Sequence, residues 1–170
     1  MKRTRLIIFM ALFISMDIVL RRLLSYQTPI VRIDFGFVPI AAAAMMFGPW
    51  VSGITAVMAD LLGMLLLPKG PYFPGFTLSA FAAGAIYGLY LYKKQGTLLQ
   101  ITLASLTVTL LVEVGLQTLW LSILTGNAAV VIVSQRLIKA AFILPAQIVV
   151  IKLLYRYMGS VLRPVDLKRI

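Results

Sequence analysis

The chain has 170 residues, 61% of them hydrophobic and 12% charged, against roughly 45–50% apolar and about a quarter charged in soluble domains. It reads as an all-α membrane protein, one membrane-embedded domain over 1–170, with room for roughly five to seven spans of about 20 apolar residues. There is no Cys and no His, which excludes disulfides, thiolate nucleophiles, the usual zinc sites and histidine general bases. The net charge of +11 rests on sparse cations at the ends of apolar runs, so membrane orientation explains it more simply than nucleic-acid binding.

The apolar runs predict six helices, over about Leu6–Leu24, Gly36–Phe47, Trp50–Leu67, Phe76–Tyr92, Thr97–Leu124 and Ser134–Met158. Lys2, Arg3 and Arg5 precede the first run, and Arg21 and Arg22 close it without a small-residue cleavage site. It therefore reads as a retained helix, not a signal peptide. The second helix holds Pro39 and Ala41–Ala44; at about 18 Å it is too short to cross a core of about 30 Å alone. Gly48-Pro49 breaks the chain before the third. "KGPYFPGFT", residues 69–77, follows the third run and reads as a shaped loop because of Pro71, Pro74 and its glycines. Lys93-Lys94-Gln95-Gly96 and Thr125-Gly126-Asn127 mark two further turns. Small residues stripe the fourth helix (Ala80, Gly84, Gly88), the third (Ser52, Ala56) and the first (Ala11, Ser15), which lets helices approach closely.

Six crossings place both termini on one side. That side carries Lys2, Arg3, Arg5, Lys93, Lys94, Arg156, Arg163, Lys168 and Arg169 and is cytoplasmic by the positive-inside rule. Arg21, Arg22, Arg32, Lys69, Arg136 and Lys139 fall at or near the outer side, where the rule disfavours them. Two readings are open: snorkelling to lipid headgroups, or an anionic ligand held at the outer face.

Five acids remain: Asp17, Asp34, Asp60, Glu113 and Asp166. Glu113, Gln117 and Trp120 follow at i, i+4 and i+7 on one helix face. An ionisable side chain in a span costs about 2.5–3.5 kcal/mol on insertion scales, so Glu113 must face a cavity or a partner. It is either the acceptor at the floor of a pocket, with Gln117 above it and Trp120 near the mouth, or a structural carboxylate paired with a cation such as Lys139. Arg136 and Lys139 share a face near the outer end of the sixth helix, suited to carboxylate or phosphate. Asp60 pairs with Lys152 or lines the pocket, and Asp17 with Arg21 forms an intrahelical ion pair. No GxxxxGK[ST] loop occurs, so the chain does not hydrolyse nucleotide by itself.

Residues 32–92, with "YFPGFT" at 72–77, "TLWLS" at 118–122 and "RLIKAAFILPAQ" at 136–147, resemble the folate-specific substrate-binding (S) components of energy-coupling-factor (ECF) vitamin transporters. The resemblance covers nearly the whole chain. It implies a six-helix bundle in the bacterial plasma membrane that binds folate near the outer face, is not an enzyme, and uses no cofactor or metal. It also implies docking onto a transmembrane coupling protein and two ATPase subunits, through small residues on the first helix. Those residues are Ala11 and Ser15 here, where the family usually has two alanines; Gln117 stands where the family pattern has Asn. Folate's parts then divide among the candidate residues. Glu113 accepts from the pterin edge beside Gln117. Trp120, Phe35, Phe37, Phe73 and Phe76 wall the ring system. Arg136, Lys139 and Arg22 take the two tail carboxylates. Tyr72 to Phe76 form a lid shaped by Pro74 and Gly75. The rival readings are an S component for another anionic vitamin, such as a niacin-like one or a thiamine precursor, an enzyme acting on lipid headgroups, and a structural membrane subunit that binds nothing.

Overall fold

The computed structural model describes residues 2–23, 25–27, 32–33, 35–68, 72–126 and 129–162. Asp34, Lys69, Gly70, Pro71, Asn127, Arg163, Asp166, Lys168 and Arg169, and the side chains of Lys2, Arg3 and Arg32, lie outside the described part.

Helix α1 (Lys2–Ile18) runs on into a π-helical turn at Val19–Leu23. A two-residue antiparallel ribbon follows, β1 (Tyr26–Gln27) with β2 (Arg32–Ile33), pairing Tyr26 with Ile33 and Gln27 with Arg32. Next come α2 (Phe37–Phe47), α3 (Pro49–Leu66) and α4 (Pro74–Leu91). The fifth rod is one continuous helix in three parts: α5 (Leu98–Thr107), a π-helical stretch Val108–Leu116, and α6 (Gln117–Thr125). Helix α7 (Ala129–Leu162) is the last described element. All six expected helices are present; among the described residues, the ribbon and the two π-helical stretches are additions to the sequence reading.

Two boundaries differ for physical reasons. The fourth helix was expected from about Phe76, but it starts at Pro74, so that Pro74–Thr77 form its first turn, with Phe76 N–H donating to Phe73 O at 3.1 Å. Proline is tolerated at that position because its missing N–H has no helical partner there. Helix α7 starts at Ala129 rather than Ser134. The β-branched run Val130–Val133 is a weak helix former by propensity, but propensity is a weak prior that structural context overrides.

Four helical stretches are long and apolar enough to cross a membrane: Pro49–Leu66, Pro74–Leu91, Leu98–Leu124 and Arg136–Tyr157. Their outward faces are apolar; Leu65, Leu99 and Phe142 are 78%, 71% and 76% exposed. Such surface is far beyond what a soluble monomer shows and fits hydrocarbon.

The short α2 is the central post. Pro39 to Ala44 are all buried, and α2 packs against α1, α3, α4 and α7. Alanine on every side lets four helices close around it. Helices α3 and α4 run antiparallel in intimate contact: Ser52 Oγ lies 2.7 Å from Gly84 O, and a Cβ on Gly84 would stand 2.6 Å from Ser52 O. The small-residue stripes on these two helices therefore meet each other. Gly48, at φ 84°, supplies the left-handed break between α2 and α3.

Candidate functional site

The π-helical stretch carries Glu113. At its end, Gln117 N–H bonds to Val112 O, five residues back, instead of to Glu113 O, its α-helical partner. The Glu113 carbonyl instead accepts from Arg136 NH1 at 2.6 Å. The same Arg136 nitrogen donates to Gln117 Oε1 at 2.8 Å, and Lys139 Nζ lies 3.3 Å from Glu113 Oε2. Thus one face of α7 binds the fifth rod through a carbonyl, an amide and a carboxylate. The Glu113 and Lys139 side chains keep 23% and 19% of their surface accessible. Each charge is offset by the other while part of each still faces outward.

Around Trp120 the aromatics gather. Its ring centroid is 5.7 Å from that of Phe73, and Phe73 lies edge-on to Phe76 at 6.1 Å. Its indole N–H donates to Ser79 Oγ at 3.0 Å, tying α6 to α4. Gly75 makes room for this: a Cβ there would be 2.5 Å from Trp120 Cδ2. The helical start at Pro74 therefore sets Phe73 on Trp120 with Phe76 against Phe73, and Gly75 lets the indole lie against that turn.

The remaining expected residues sort differently. Phe35 and Phe37 pair with each other at 6.4 Å. Arg22 is buried and donates to Leu67 O at 3.0 Å, alongside Gly63, where it meets the negative end of the α3 dipole. Arg21 pairs with Asp17 at 3.1 Å as expected, and Gly36 packs so tightly on that pair that a Cβ would touch it. Asp60 accepts from Thr77 Oγ1 at 2.9 Å, an arrangement the sequence reading did not include. Of the six cations placed near the outer side, Arg21, Arg22, Arg136 and Lys139 all have protein partners. Ala11 and Ser15 are exposed on α1 among the exposed side chains of Ile7, Ile8, Leu12 and Met16. Among the described residues, no three of His, Cys, Asp and Glu come together as metal ligands.

The sequence reading missed a buried polar layer. Gln147 Nε2 donates to Tyr87 Oη at 2.5 Å, and Thr109 Oγ1 lies 3.5 Å from Gln147 Oε1. Gln147 stands eleven residues after Arg136, three whole turns along the same face of α7, so its helical position could have signalled it. Nothing in the sequence links Ser79 with Trp120.

The chain is thus a bundle of membrane-type helices with a charged cluster between its last two rods and aromatics over the start of α4. Residues 5–162 match the model of the family described as ECF transporter, substrate-specific component, and the chain belongs to that family. Among its relatives, the folate transporter FolT of Clostridium novyi (strain NT) is 48% identical over 151 residues, covering 89% of this chain and 88% of that protein. The folate transporter FolT of Leuconostoc mesenteroides subsp. mesenteroides is 28% identical over 151 residues, covering 85% and 81%. A crystal structure of FolT bound with folic acid matches with a TM-score of 0.82 and 41% identity, over 88% of this chain and 90% of that one. The relatives are named as transporters, in agreement with the expectation that the chain is not an enzyme.

Proposed function

We propose that this chain is the folate-binding S component of an ECF-type importer, a single membrane-embedded domain that takes folate at the outer face. The observation that carries the reading is the likeness, along most of both chains, to FolT bound with folic acid. The chemistry agrees. Glu113 presents a carboxylate in a span, where only a donor-rich partner makes it tolerable, and a pterin edge offers an amino group and a ring N–H side by side. Phe73, Phe76 and Trp120 supply a wall for flat rings.

In this reading all six helical rods cross or enter the membrane of a bacterial cell, with both termini in the cytoplasm. The exposed Arg5, Lys93, Lys94 and Arg156 support that side as the inner one. Ala11 and Ser15, exposed on α1, form the small-residue face on which the transmembrane coupling protein and its two ATPase subunits dock. Arg22, Phe35 and Phe37 belong to the substrate-binding region. Calorimetric titration of detergent-purified protein with folic acid, nicotinic acid and thiamine precursors tests the reading. Saturable binding of folic acid alone is the expected result, and tighter binding of another vitamin, or none at all, defeats it.

A further inference from the structure

We infer that Arg136 is a positioning residue for the head of the ligand, orienting the Gln117 amide, rather than a clamp for the ligand's carboxylates; this rests on the folate reading above. The sequence reading put Glu113 at the pterin and Arg136 with Lys139 at the glutamate tail, which are opposite ends of an elongated molecule. The structure puts all four side chains in one cluster. Arg136 NH1 is 2.6 Å from the Glu113 carbonyl and 2.8 Å from Gln117 Oε1, and Lys139 Nζ is 3.3 Å from Glu113 Oε2. If Glu113 meets the head, Arg136 and Lys139 stand at the head too.

The chemistry of the contact is directional. A guanidinium only donates, so the Gln117 amide must turn its oxygen to Arg136 and its Nε2 away. Among the described residues, neither Gln117 Nε2 nor Glu113 Oε1 has a hydrogen-bond partner. The cluster thus keeps one unpartnered donor, on Gln117, and one unpartnered acceptor, on Glu113, four residues apart, the groups that complement a heterocycle edge carrying a ring carbonyl beside N–H groups. Without Arg136 the amide is free to flip and present its oxygen to that carbonyl. A lysine at 136 would keep the charge but lose the planar fork. The π-helical register contributes as well: it leaves the Glu113 carbonyl open to Arg136, so backbone and side chain anchor the guanidinium together.

The test compares folic acid with its diamide, in which both tail carboxylates are capped and the head is unchanged. Arg136→Gln and Arg136→Lys are titrated with each. The expected result is a loss of at least tenfold for both ligands, equal within about twofold, and a loss of coupling in the Gln117→Leu background, where Arg136→Gln then changes affinity less than twofold. A tenfold loss for folic acid with the diamide unchanged would make Arg136 a tail clamp and overturn the inference while leaving the folate reading intact. Wild-type protein that binds neither ligand overturns both. Should Arg136→Gln fail to fold, Arg136→Lys carries the comparison alone, with the same two outcomes.

Discussion

Glu113 shows how a residue unsuited to a membrane is kept there. Lys139 offsets its charge, and Arg136 occupies its carbonyl, yet part of the carboxylate stays accessible. Removing the charge while keeping the shape isolates its contribution. Glu113→Gln is expected to weaken folic acid binding at least tenfold, about 1.4 kcal/mol, as read by titration of purified protein. Gly75 is the other residue whose chemistry is decided by its neighbours. Its φ is helical, so the reason for glycine is space and not conformation: a Cβ would overlap the Trp120 indole. Gly75→Ala should displace Trp120 from Ser79 and destabilise the protein by about 1–3 kcal/mol. In a Trp50→Phe background, where Trp120 is the remaining tryptophan, the emission maximum should shift. Unchanged emission and melting temperature would mean that the indole has another resting place.

At the scale of elements, the α3–α4 pair and the fifth rod carry different burdens. Helices α3 and α4 are fused by small residues, with Gly84 against the Ser52 backbone and Gly88 against Pro49. Backbone cannot give way as a side chain can, so Gly84→Ala should force the helices apart, lowering stability by about 1–3 kcal/mol. A thermal melt in detergent reads this directly. The same substitution at the loosely packed Gly115, whose Cβ would meet only Leu110 O at 3.3 Å, should have a smaller effect. The fifth rod departs from α-helical register over Val108–Leu116, where the polar contacts to α7 are made. Helical periodicity in the sequence put Glu113, Gln117 and Trp120 on one face; the Glu113 and Gln117 side chains meet α7, whereas Trp120 meets Ser79 and Phe73 around the start of α4. The register itself was not readable, because an i→i+5 ladder has no residue signature of its own and is stabilised by what the freed carbonyl meets.

In the proposed reading the whole molecule presents two surfaces to different partners, one to folate and one to other proteins. If α1 is the docking face, bulk there should separate binding from transport. Ala11→Trp is expected to abolish folate uptake in cells that carry the ATPase module, while purified protein binds folic acid as before. Loss of both would mean that the substitution harms the fold. Orientation has an equally direct test, since the chain has no Cys and any introduced thiol is the sole label. Cysteine in place of the exposed Tyr72 should react with an impermeant maleimide on intact cells, and cysteine in place of Gln95 only after permeabilisation.

The sequence by itself determined the medium, the number of helical runs and the suspicion around Glu113, because hydropathy, helix breakers and the cost of a charge in hydrocarbon are local properties. It also marked Gly84 and Gly88 as contact points. Only the tertiary structure decided who meets whom: Lys139 with Glu113 across 26 residues of chain, Trp120 with Ser79 across 41, and Arg22 with the end of α3 across 45. Those pairings depend on how rods are rotated against one another, and a rotation is set by the packing of several helices at once. No single stretch of sequence contains it, which is why the sequence did not show Arg136 beside an amide and a backbone carbonyl.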